Sequence, residues 1–99
     1  MMTRDTVIAV LSQHRSALQQ RRVARVALFG SVARGDTAAG SDVDVLIEFE
    51  PDAKVTLFHY AAVKRFTDEL LGGHADVIDR ANLNRHIRAE VERDAVFAF

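Results

Sequence analysis

Cysteine and tryptophan are absent from this chain, and proline occurs once, at Pro51. Without cysteine there is no disulfide framework and no thiolate metal site. No apolar run approaches the ~18 residues of a membrane-spanning helix. The first residues lack the apolar segment of a signal peptide, so the expected location is the cytoplasm. A dominant charge is missing too: 13 basic and 14 acidic residues leave a formal net charge of −1. That balance argues against a nonspecific electrostatic grip on nucleic acid. Arg21, Arg22 and Arg25 form the densest basic cluster and are expected to be a solvated helix end and strand edge. His14, His59, His74 and His86 are scattered, without the spacing of a histidine metal site.

What remains is a chain of 99 residues, 48% of them hydrophobic. That suits a single domain over residues 1–99, burying roughly 60–65% of its unfolded surface. There is no internal repeat, low-complexity tract or linker. Thr3 is placed to cap a first helix over residues 3–20, with Val7, Val10, Leu11, His14 and Leu18 near one face. Val23–Phe29 has the length and β-branched start of a strand. Gly30 and Ser31 turn the chain, Val32, Ala33 and Arg34 form a short helical turn that Gly35 ends, and residues 36–41 are a polar loop. Val43–Phe49 reads as a second strand, and Pro51 with Asp52 marks the turn after it. A second long helix runs from Thr56 to Leu71 and is closed by Gly72 and Gly73. Its Phe58, His59 and Tyr60, with Phe66, fall at helical spacing and are expected to be core rather than a base-stacking platform. A short strand covers residues 75–78. Asn82 caps a last helix that reaches Asp94, and the apolar tail of residues 95–99 returns as an edge strand or packs on a partner. Strands interleaved with helices predict a small sheet covered by helices.

The chemistry concentrates in residues 30–48. Gly30 and Ser31 make a tight turn directly after an apolar run, and a turn lined with backbone N–H groups can hold a polyphosphate. Ten residues later Asp42 and Asp44 open the second strand. At i and i+2 on a strand, two carboxylates share one face and can share divalent cations. Turn and carboxylates together describe a metal-dependent site for a nucleoside triphosphate. From average residue usage, this spacing arises by chance in on the order of one in a thousand chains of this length.

Gly30-Ser31, ten residues, then Asp42-Val43-Asp44 resembles the signature of the polymerase β-like nucleotidyltransferase superfamily. The longer strings, residues 28–35 and 41–47, are similar to the minimal nucleotidyltransferases, the MNT proteins. The resemblance extends over nearly the whole chain and includes Asp76, in the segment Ala75-Asp76-Val77-Ile78, which matches the strand of the family's third carboxylate. It implies an α+β fold with a small mixed sheet flanked by helices. It also implies transfer of AMP from ATP to a hydroxyl. Many MNT proteins serve as the antitoxin of a HEPN toxin, and some modify a tyrosine of that toxin.

On this reading Asp42 and Asp44 hold Mg²⁺, with two ions expected, and Asp76 completes the second ion's site and can accept the hydroxyl proton. Gly30 permits close approach of phosphate, Ser31 donates to the β- or γ-phosphate, and Arg34 neutralises phosphate charge. Asp79 competes with Asp76 but sits at the strand's exit. Gly35 shapes the loop, and Ser41 caps the turn before Asp42. The expected partners are ATP and a HEPN-type toxin, with a homodimer as a further option. Two alternatives belong to other classes: an antitoxin that only binds its partner, or transfer to a small molecule or an RNA end.

Overall fold

The structure, a computed structural model, describes residues 3–35 and 42–99. The polar loop expected at residues 36–41, with Ser41, lies outside them. β1 (Val23–Phe29) and β2 (Val43–Phe49) form the antiparallel centre of a four-stranded sheet, with Val26 opposite Ile47 and Phe29 opposite Asp44. β3 (Ala75–Asp79) runs parallel to β2, and β4 (Val96–Phe97) pairs antiparallel with β1, giving the order β3-β2-β1-β4. A parallel pair needs a crossover, which α4 (Leu57–Leu70) supplies between β2 and β3.

Alternation along the strands divides the apolar residues between the two faces. Val43, Val45 and Ile47 join Val26, Leu28 and Val77 on one face, beneath α1 (Arg4–Gln13), α2 (Arg15–Gln20) and α4. Val7, Leu11, Leu18, Val63 and Leu71 complete that core and are fully buried. The other face has a smaller cluster, Ala27 and Leu46 against Val91 of α5 (Arg85–Asp94), flanked by Phe29, Leu83 and Ala95. One layer is thick and the other thin.

Several expected boundaries hold for identifiable reasons. The Thr3 hydroxyl accepts from the Thr6 N–H at 3.2 Å, and the Thr56 hydroxyl accepts from the His59 N–H at 3.1 Å, so both residues cap as the sequence suggests. Gly72 and Gly73 adopt φ of 71° and 83°, and the Gly73 N–H donates to the Asp68 carbonyl at 2.8 Å, which closes α4.

Others move. The first helix is two helices, broken at His14. The His14 ring Nδ1 lies 2.8 Å from the Val10 carbonyl oxygen, and the His14 N–H is divided between the Val10 and Leu11 carbonyls. The side chain thus competes for a helix carbonyl. The short helix α3 (Gly30–Ala33) starts two residues early. The last helix starts later than expected, because the Asp79 carboxylate accepts from the Ala81 N–H at 3.0 Å and sets a 3-10 turn, Arg80–Asn82. Asn84, not Asn82, then caps α5 by accepting from the His86 N–H.

The tail is an edge strand, with the Ala98 N–H donating to the Val26 carbonyl at 2.8 Å and Phe99 packed on the core. Phe58 contradicts its expected core position and is 87% exposed, beside Leu57 at 79%. At 100° per residue it lies roughly 140° around α4 from the buried Val63. Tyr60 and Phe66 do pack against the core. The arginine cluster is paired rather than simply solvated. Arg21 stacks on Phe66 at 3.9 Å, Arg25 stacks on Phe97 at 3.9 Å, and Arg22 pairs with Glu50 and Asp52, each at 3.0 Å.

Candidate active site

β1 ends at Phe29, and Gly30 reverses the chain at φ 74° into α3. A Cβ at residue 30 would fall on Asp44 Oδ2 and lie 3.2 Å from Asp44 Cγ. Glycine is needed there twice over, for the backbone angle and for the carboxylate packed against it. Val32 and Ala33, each 3% exposed, anchor α3 in the core. That anchoring leaves Ser31 half-buried and Arg34 exposed. The first N–H groups of a helix have no intrahelical acceptor, so the turn presents donors.

Asp42 immediately precedes β2, and Asp44 is its second residue. Asp76 is the register partner of Asp44 on β3, and adjacent strands lie about 4.8 Å apart. Strand alternation puts all three carboxylates on the thinly covered face, where Asp42 and Asp76 are exposed and Asp44 is half-buried. Asp79 stands at the other parity and caps the 3-10 turn. Burial raises the Asp44 pKa first, the negative charges of Asp76 and Asp42 raise it further, and the Arg34 guanidinium opposes them. Asp44 therefore sits where a positive charge is electrostatically wanted.

Among the described residues, no three carboxylate, imidazole or thiolate groups form a finished cation cage. The donor set is nonetheless of the right chemistry for a hard divalent cation: oxygen ligands, gathered at one sheet end, with a deficit of positive charge. Arg34 Nη1 lies 3.4 Å from Asp94 Oδ2 at the end of α5. Asp94 escaped the sequence reading because sixty residues separate it from Arg34 and no motif joins them. Phe29 is the cross-strand partner of Asp44, a pairing set by the register of β1 on β2 rather than by alternation alone. Two of the histidines have structural bonds, His14 to Val10 and His59 Nε2 to the Arg21 carbonyl at 2.7 Å. Further along the same sheet face, Arg80 pairs with Glu48 and Glu92 beside a cavity of about 210 Å³. Its charges satisfy one another.

Known proteins share the sequence pattern and the fold. A sequence model of the nucleotidyltransferase domain matches residues 11–98. Protein adenylyltransferase MntA of Thermococcus cleftensis is 30% identical, over 98% of this chain and 97% of that protein. A solved structure assigned as a minimal nucleotidyltransferase is similar with a TM-score of 0.78 at 34% identity, over 96% of this chain and 95% of the other. The structure of the tri-AMPylated Shewanella oneidensis HEPN toxin in complex with MNT antitoxin contains a chain with a TM-score of 0.66 at 12% identity. That similarity covers 94% of this chain and 71% of the other, and it is one of fold. No helix among the described residues is long and apolar enough to cross a membrane.

Proposed function

This chain belongs to the nucleotidyltransferase domain family, as an enzyme of the minimal type, and from that premise we propose that it transfers AMP from ATP to a tyrosine hydroxyl of a HEPN-type toxin. The observation that carries the reading is the gathering of Asp42, Asp44 and Asp76 at one open sheet end beside the Gly30–Ser31 turn. The adenylyltransferase named among the relatives and the AMPylated toxin bound to a chain of the same fold support the donor and the partner.

In the reaction the hydroxyl oxygen attacks the α-phosphorus, the bond to the bridging oxygen breaks in line, and pyrophosphate leaves. Gly30 lets the triphosphate approach the backbone, and the Ser31 hydroxyl and the N–H groups at the start of α3 donate to its terminal phosphates. Arg34, paired with Asp94 and near enough to Asp44 to oppose the rise of its pKa, neutralises part of the same charge. Asp42 and Asp44 would hold Mg²⁺, and Asp76 would complete the site of a second ion. When bound, the cations neutralise the triphosphate and favour ionisation of the attacking hydroxyl. Asp76, the most open carboxylate within the strands, accepts the hydroxyl proton.

The test is incubation with ATP, Mg²⁺ and a HEPN protein encoded beside this chain, followed by intact mass and peptide mapping. The reading expects whole AMP additions on tyrosine that vanish with a chelator. Transfer to a free nucleotide or an RNA end, with the HEPN protein unmodified, would replace it with the small-acceptor alternative. Neutralisation of the toxin without any mass change would leave only the binding antitoxin.

A further inference from the structure

The exposed side of α4 is unusual for a helix that belongs to a core. Phe58 is 87% exposed, and it falls on one stripe with Ala61, Ala62, Arg65 and Glu69, at i, i+3, i+4, i+7 and i+11. Ala61, Ala62, Arg65, Phe66 and Glu69 line an open groove of about 490 Å³ that begins one turn beyond Phe58. A protruding ring and a hollow edged by small residues thus lie on the same helix.

We propose that α4 is a self-association surface, on which a second copy of this chain packs its own α4 antiparallel about a two-fold axis near Ala62. The α4 face is complementary to itself. An axis between Ala61 and Ala62 places Phe58 of each copy over Arg65 of the other, both exposed on α4. In a two-fold interface every such contact is made twice. A guanidinium against a ring is already the way this protein uses arginine, at Arg15 with Phe99, Arg21 with Phe66 and Arg25 with Phe97. Alanines at the crossing allow the helix axes to approach to about 8 Å, the close end of the packing range. The intrahelical Arg65–Glu69 pair, 3.2 Å and well exposed, is weak enough to be rearranged.

The pairing leaves both catalytic centres open, because α4 covers the sheet face opposite Asp44. The dimer would present two active sites on its outer sides. This inference stands on α4 alone and does not depend on which acceptor the enzyme uses.

The absence of cysteine makes the test clean. Ala62→Cys lies at the proposed axis, and Glu90→Cys, exposed on α5, is the control. Sedimentation of the unmodified chain should show a reversible dimer with a Kd of roughly 1–100 μM, the range of a modest interface. Under mild oxidation Ala62→Cys should form a covalent dimer at least tenfold faster than Glu90→Cys. Arg65→Glu should weaken association, and the exchanged pair Phe58→Arg with Arg65→Phe should restore it. Circular dichroism checks that each variant is folded. A monomer at 100 μM, or cross-linking no faster at residue 62 than at residue 90, overturns the proposal. A monomer whose Ala62→Cys thiol is shielded only when a HEPN protein is added would assign the face to that partner instead, and equally overturns it.

Discussion

Along β2, Val43, Val45 and Ile47 point into a core sealed by three helices, whereas Asp44, Leu46 and Glu48 point to a face that α5 covers in part. Consecutive residues of one strand therefore answer to different pressures. On the thick side, substitution is judged by packing, where even one methylene is felt. On the thin side, the end beyond α5 keeps three carboxylates near one another and a glycine pressed against one of them. Such an arrangement costs stability wherever no positive charge offsets it. Strand alternation alone thus divides the residues that hold the fold together from those of the proposed site.

The comparison can be broken by exchanging effects between faces. Asp42→Asn or Asp44→Asn should lower turnover by on the order of 10²–10³-fold, the cost of losing one charge-stabilising group in a preorganised site, while circular dichroism stays native. Steady-state kinetics at saturating Mg²⁺ checks this. Ile47→Ala, three residues along the same strand, should do the reverse. It should cost about 2–5 kcal/mol in denaturant unfolding, as large-to-small core changes do, with kcat per folded molecule little altered.

Gly30→Ala joins the two sides. Its Cβ would displace the Asp44 carboxylate, and the backbone at φ 74° disfavours any side chain, so stability and turnover should fall together. Parallel unfolding and activity curves decide it. A smaller effect is expected from Ser31→Ala, which should weaken ATP binding by about 1–2 kcal/mol, near the value of a hydrogen bond to a charged group. Isothermal titration measures it. Arg34→Ala should raise the KM for ATP in the same assay series.

The smallest effect concerns pH. The Asp44 pKa is raised in the folded state, so the unfolded chain ionises this group more readily. Its contribution to stability is fully present below the ordinary carboxylate pKa and is lost as pH rises through the raised value. At neutral pH, without metal, Asp44→Asn should therefore melt higher than the unmodified protein. That advantage should shrink toward pH 3.

Much of this was legible in the sequence because it is local. Strand alternation, threonine caps, glycine stops and the spacing of Gly30-Ser31 to Asp42 and Asp44 all act over a few residues. β1 and β2 run over the expected residues, 23–29 and 43–49, and Thr3 and Thr56 cap where expected. What was not legible depends on distant partners. The His14 break turns on a ring choosing a carbonyl over water. The Asp94–Arg34 pair joins two segments that only tertiary folding brings together. Phe58 has the hydrophobicity of a core residue, but its place around α4 points it away from the sheet. Hydrophobicity says that a side chain gains from burial, and not what will bury it.

The most direct test of the claim that the open carboxylate end is the active centre uses one variant and two readouts on the same sample. Asp44→Asn is assayed for AMP transfer to the HEPN protein by intact mass, and for thermal unfolding at neutral pH in the absence of metal. The account predicts that transfer is lost and that the melting temperature is equal to or above that of the unmodified protein. Retained transfer, or loss of transfer together with a lower melting temperature, would contradict it.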